Sequence, residues 1–194
     1  MDWVCESAVK MKMEEEQKNQ QKAETQVNSS SSASPGGDEM SFDDMLKVVE
    51  MAYSQMLQGR FDEAESLMSA FLTLAPDFWY FNSLMGVIHL QAVLADYKGE
   101  KEYSLELAEK ALNRAFELNP NDVSTYVNRA EVLLHKGDLQ GAFEILKQVS
   151  VVDPELKDPY TARARQFTLE ILQALERIAA GEEIGDDEEE GKEG

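Results

Sequence analysis

The sequence predicts an all-α fold, a stack of helical hairpins closed by one further helix. Three observations carry this. Apolar residues recur at spacings of three and four from Ser41 to about Ala180, with almost no β-branched alternation of the strand kind. The pattern is broken by prolines in similar settings, Leu74-Ala75-Pro76-Asp77, Leu118-Asn119-Pro120-Asn121 and Val152-Asp153-Pro154-Glu155. Glycines punctuate it between the prolines, as Gly59 and Gly137 do.

Taken in order, residues 1–24 predict a polar N-terminal helix, because Lys10 to Lys22 is rich in Glu, Gln and Lys. Its apolar face is thin (Val4, Ala8 and Met11), so it is marginal alone and needs a partner; a second copy, in a homodimer through this helix, is one candidate. Residues 25–40 are dominated by Ser, Pro and Gly and predict a flexible linker. The folded domain, 41–180, opens at Ser41, an N-cap residue with Asp44 three positions on as an imperfect capping-box partner. Met45, Val48, Val49, Ala52, Met56 and Leu57 make the first helical stripe. After Gly59-Arg60, Phe61, Ala64, Leu67, Met68, Phe71 and Leu72 make the second.

Pro120 and Pro154 are 34 residues apart, which is the tetratricopeptide period. Pro76 and Pro120 are 44 apart, so the middle repeat carries ten extra residues. The repeats run at about 45–78, 79–122 and 123–156. Ala52 and Ala64 in the first, and Ala130 and Ala142 in the third, hold matching offsets where two helices cross and only a small side chain lets the backbones approach. Gly59 and Gly137 fall in the turns, where a positive φ is expected. In repeat two, helix A spans about Trp79 to Ala95 with Gly86 at the small position, and helix B about Leu105 to Leu118. Asp96 to Ser104 then reads as a longer loop or an extended helix B, with Tyr97 and Tyr103 as candidate contacts on the rim of a binding surface. The last helix, 159–180, carries Ala164, Phe167, Ile171, Leu172, Leu175 and Ile178 at spacings of three and four and turns Arg163, Arg165, Glu170 and Glu176 outward, as a capping helix does. The whole predicts a tetratricopeptide-repeat superhelix with a C-terminal capping helix. Residues 181–194 predict a disordered acidic tail, with eight acidic residues against Lys192.

In such a repeat, helix A offsets 2, 5, 9 and 12 line a groove. They are Leu46, Val49, Tyr53 and Met56 in repeat one; Tyr80, Ser83, Val87 and Leu90 in repeat two; and Ser124, Val127, Glu131 and Leu134 in repeat three. A groove that reads carboxylates needs Lys and Arg here, and only Asn82, Asn128 and Arg129 come near that role. This lining suits an extended or helical apolar segment of a partner protein.

The net charge of −20 argues against nucleic acid and anionic membrane surfaces. No run approaches the length of a membrane span, and the N-terminus lacks a signal-peptide pattern, so a cytosolic protein is expected. His89, His135 and Cys5 make a poor zinc set, and no phosphate-binding loop, dinucleotide fingerprint or nucleophile elbow is present. No cofactor and no enzymatic activity are expected.

Two stretches support a closer likeness. Ala130-Glu131-Val132-Leu133-Leu134-His135-Lys136-Gly137-Asp138-Leu139, and Gly59-Arg60-Phe61-Asp62-Glu63-Ala64 followed by Leu72 and Leu74-Ala75-Pro76, resemble segments of the tetratricopeptide chaperones that escort translocator proteins in bacterial type III secretion. The resemblance covers roughly 42–178. It implies three repeats with a terminal helix, and a groove that holds an apolar segment of a secretion substrate and prevents its aggregation or membrane insertion. It also implies dimerisation through the N-terminal helix. The insertion and the serine-rich linker depart from that pattern. A structural scaffold subunit, its groove permanently filled within a multiprotein complex, fits the same residues.

Overall fold

The computed structural model describes residues 41–181. The N-terminal helix expected over 1–24, the linker over 25–40, Cys5 and the acidic tail beyond Gly181 lie outside the described residues. The chain clusters into two units, Met1–Asp44 and Met45–Gly194, and the repeats belong to the second.

Among the described residues the fold is all-α. Its helices are α1 (Phe42–Leu57), α2 (Phe61–Leu74), α3 (Trp79–Leu94), α4 (Lys101–Leu118), α5 (Val123–His135), α6 (Leu139–Val152) and α7 (Pro159–Ala179), with a 3-10 turn at Tyr97–Gly99 between α3 and α4. Ser41 caps α1 as its sequence predicts: the Asp44 amide donates to Ser41 Oγ at 3.2 Å, and that hydroxyl donates to Asp44 Oδ2 at 2.7 Å.

Small residues serve two separable purposes. Gly59 and Gly137 have φ of 73° and 80°, and a Cβ at either would meet nothing within 4 Å. Backbone conformation, not crowding, demands glycine there. Gly86 is the opposite case. It is helical, and a Cβ on it would lie 2.4 Å from Leu112 Cγ and 3.2 Å from the Ala108 carbonyl oxygen. It lets α3 and α4 approach closely. Ala52, Ala64, Ala108, Ala130 and Ala142 are all fully buried, the condition expected of crossing points.

α3 is the central helix. It packs on α2, α4 and α5, and it is buried on nearly every side, through Phe81, Leu84, Met85, Ile88, Leu90 and Ala92. Leu90 joins Leu105, Ala108, Leu112 and Val132 in one apolar cluster. A second cluster binds α5, α6 and α7 through Val127, Ala130, Ala142, Leu146, Val149, Ala164 and Ile171. α7 thus covers the last apolar face of the stack. Its start is capped by Asp158, whose carboxylate accepts from the Tyr160 amide at 2.9 Å, and braced by Asp153, whose carboxylate accepts from the Lys157 and Asp158 amides and the Thr161 hydroxyl.

The ten extra residues of repeat two are shared out. Relative to repeat three, α3 is longer than α5 by three residues, the connection 95–100 is longer than 136–138 by three, and α4 starts four residues earlier than α6 does. Helix B therefore begins at Lys101 rather than near Leu105, and both expected forms, a longer connection and an extended helix, are present.

Candidate partner-binding face

The odd-numbered helices α1, α3 and α5 carry the twelve groove positions. Five remain half-buried: Leu46, Tyr53, Tyr80, Val87 and Leu134. The other seven are buried. Val49, Met56, Leu90 and Val127 are 2%, 5%, 1% and 0% exposed, so their side chains serve helix packing rather than contact with a partner. Ser83 is also buried. Ser124 is engaged by its own helix cap: its hydroxyl donates to Asp122 Oδ2 at 2.5 Å, beside the Thr125 amide and hydroxyl at 2.8 and 2.7 Å.

Glu131, expected in the groove, is paired instead. Arg163 of α7 donates to both its carboxylate oxygens, at 2.6 and 2.7 Å, and the guanidinium lies 5.2 Å from the Phe167 ring centroid. Burial pushes the Glu131 carboxyl above its ordinary value, and the nearby Arg163 charge works against that rise. This corrects the reading of Arg163 as an outward residue of α7. The buried carboxylate draws it in.

The polar candidates around the groove are structural as well. The Asn82 amide donates to the carbonyls of Pro76 and Phe78, at 3.2 and 3.1 Å. Arg129 Nε donates to Asn113 Oδ1 at 2.9 Å, with its guanidinium 4.4 Å from the Phe116 ring centroid, which ties α5 to α4. Asn128 is buried.

In the aromatic run, Phe81 is fully buried, edge-on to Phe78 at 4.7 Å and tilted against Phe71 at 6.1 Å. Trp79 and Tyr80 stand edge-to-face at 5.1 Å and stay half-buried, so aromatic surface reaches the groove face at the start of α3. On the rim, Tyr103 is exposed while Tyr97 is half-buried against Phe61, with ring centroids 5.0 Å apart.

His89 is buried in α3, and burial holds its imidazole below the ordinary value although Glu65 pulls the other way. His135 is half-buried and lowered by burial and by Lys101. No group of three or more His, Cys, Asp or Glu among the described residues is placed to hold a metal ion. No helix among them is long and apolar enough to cross a membrane.

A tetratricopeptide-repeat family model matches residues 111–144, from the second half of α4 into α6. The hairpins, their small-residue crossings and this match agree. The chain has the tetratricopeptide-repeat fold. Solved tetratricopeptide structures align with most of it. The type III secretion translocator chaperone SycD of Yersinia enterocolitica is 20% identical with a TM-score of 0.58, covering 74% of this chain and 97% of that one. SycD in complex with a peptide of the translocator YopD is 19% identical with a TM-score of 0.56, over 71% and 99%. The first tetratricopeptide domain of Spaghetti (RPAP3), bound to the HSP90 peptide SRMEEVD, is 21% identical with a TM-score of 0.51, over 72% and 99%. At such identities the likeness is one of fold. No curated protein matches the sequence.

Proposed function

We propose that this tetratricopeptide domain is a cytosolic chaperone or adaptor that holds an apolar segment of a partner protein, of the kind presented by a type III secretion translocator. One observation carries the reading. The groove face keeps Leu46, Tyr53, Tyr80, Val87 and Leu134 partly open to solvent, and its one charged position, Glu131, is already paired with Arg163. A surface of that kind gains from apolar side chains, and none of its twelve positions carries a Lys or Arg free to grip an acidic peptide of the SRMEEVD type. The agreement with SycD over nearly its whole length supports the same reading, as does the peptide that SycD carries in one of its structures.

The test is a pull-down from native lysate with wild-type and Tyr53→Ala/Tyr80→Ala baits, the bound proteins identified by mass spectrometry. These two aromatics are the anchors that remain accessible, and each truncation is expected to weaken binding by about tenfold, or ~1.4 kcal/mol. One dominant secreted or membrane-inserting protein, lost from the double variant, supports the proposal. A set of soluble complex subunits, retained by the variant, makes the domain a scaffold that binds elsewhere.

A further inference from the structure

The residues that repeat two carries beyond the 34-residue period lengthen the turn between its helices, which includes the 3-10 turn Tyr97–Gly99. Extra residues in α3 and α4, at about 1.5 Å each, lift the tip of this hairpin roughly 5 Å above an ordinary one. The tip folds back onto the first turn of α2, in repeat one. The Tyr97 ring lies 5.0 Å from the Phe61 ring at 60°, and Lys98 Nζ donates to both carboxylate oxygens of Asp62, at 2.7 and 2.8 Å. Phe61 is buried beneath the tip's reach, and Lys98 Nζ also sits 5.1 Å from the Tyr97 ring centroid.

The backbone is bent to deliver these groups. Asp96 and Lys98 have φ of 49° and 59°, and Gly99 has 65°. The left-handed region crowds Cβ against the carbonyl oxygen, and an aspartate eases this with local hydrogen bonds that a lysine lacks. Lys98 is held there by the far end of its side chain.

We propose that the insertion is a latch: the Tyr97–Lys98 turn of repeat two grips Phe61–Asp62 of repeat one and fixes the joint between the two repeats in a salt-sensitive way. The joint between repeats two and three carries a Lys–carboxylate pair of its own, Lys136 of the shorter connection on Glu109 of α4, together with Arg129 on Asn113. The latch pair is half-exposed, 49% for Lys98 and 55% for Asp62. Glu63 and Glu100 stand in its field. Dissolved ions therefore weaken it more than they weaken the apolar contacts elsewhere in the stack.

Hydrogen exchange read by mass spectrometry on the full chain tests this with Asp62→Lys, Lys98→Asp and the double reversal. Each single variant should raise exchange by about three- to fivefold both in 96–104 and at the start of α2, and the double reversal should restore protection in both. Lys98→Gly accepts the left-handed backbone but lacks the ammonium, and it should open the latch as Lys98→Asp does. Wild type at about 0.5 M salt should move toward the single variants. Faster exchange confined to 96–104, a double reversal no better than the sum of its parts, or full protection in Lys98→Gly would each overturn the proposal.

Discussion

Arg163 keeps 39% of its side chain in water, while Glu131, which it grips, keeps 8%. The pair is therefore unequal. Arg163→Ala strands a buried carboxylate and is expected to cost about 2–3 kcal/mol, discounted from a fully buried pair because water reaches the arginine. In thermal unfolding this lowers Tm by roughly 6–10 °C. Glu131→Gln leaves a solvated guanidinium and should change Tm by less than about 2 °C. A comparable loss in both variants would mean that the two contribute as equals. The pH dependence has a definite sign. The Glu131 carboxyl is raised in the fold, so its favourable contribution is complete below the unfolded carboxylate value and is lost as pH rises through the folded one. Urea unfolding between about pH 4 and pH 7 should show wild type losing stability relative to Glu131→Gln as pH rises, and Arg163→Ala losing it more steeply. This pair was not legible in the sequence. The partners are 32 residues apart, and no local pattern distinguishes an arginine that turns inward from one that faces water.

At the scale of the helix, Gly86 sets how closely α3 lies on α4. Alanine would raise helix propensity by about 1 kcal/mol, but its Cβ would strike Leu112, which is fully buried and near its branch point has nowhere to move. Overpacking of this kind costs about 1–3 kcal/mol, so Gly86→Ala is expected to be net destabilising in chemical denaturation. An increase in stability would show that the helices can part without loss. The small-residue positions were legible because each answers a requirement that few residue types meet, a positive φ at Gly59 and Gly137 and a close helix approach at Gly86 and the buried alanines. The groove positions were legible only in part. Val49, Leu90 and Val127 fit the offsets of a groove, yet they are core, because interhelix packing and a partner's apolar segment ask for the same side chains. Of the twelve positions, Leu46, Tyr53, Tyr80, Val87 and Leu134 keep solvent-accessible surface. The insertion was visible as ten surplus residues, but neither its division among α3, the turn and α4 nor the Tyr97–Phe61 contact with another repeat could be read from local spacing.

For the whole molecule, the net charge of −20 and the apolar groove face point the same way. The charge disfavours polyanions, and the apolar contacts proposed for the groove face are ones that added salt does not screen. Trp79 reports on this face directly, since it stands 5.1 Å from Tyr80 at the start of α3, and replacing Trp3 with Phe leaves it the sole tryptophan. The decisive measurement is Trp79 emission in the Trp3→Phe chain, titrated with the apolar segment of the protein captured by wild-type bait and, separately, with the acidic peptide SRMEEVD. A saturable blue shift with the apolar segment and no change with the acidic peptide is the predicted result. A response to the acidic peptide, or no response to an apolar segment that still binds, would contradict the assignment of this face.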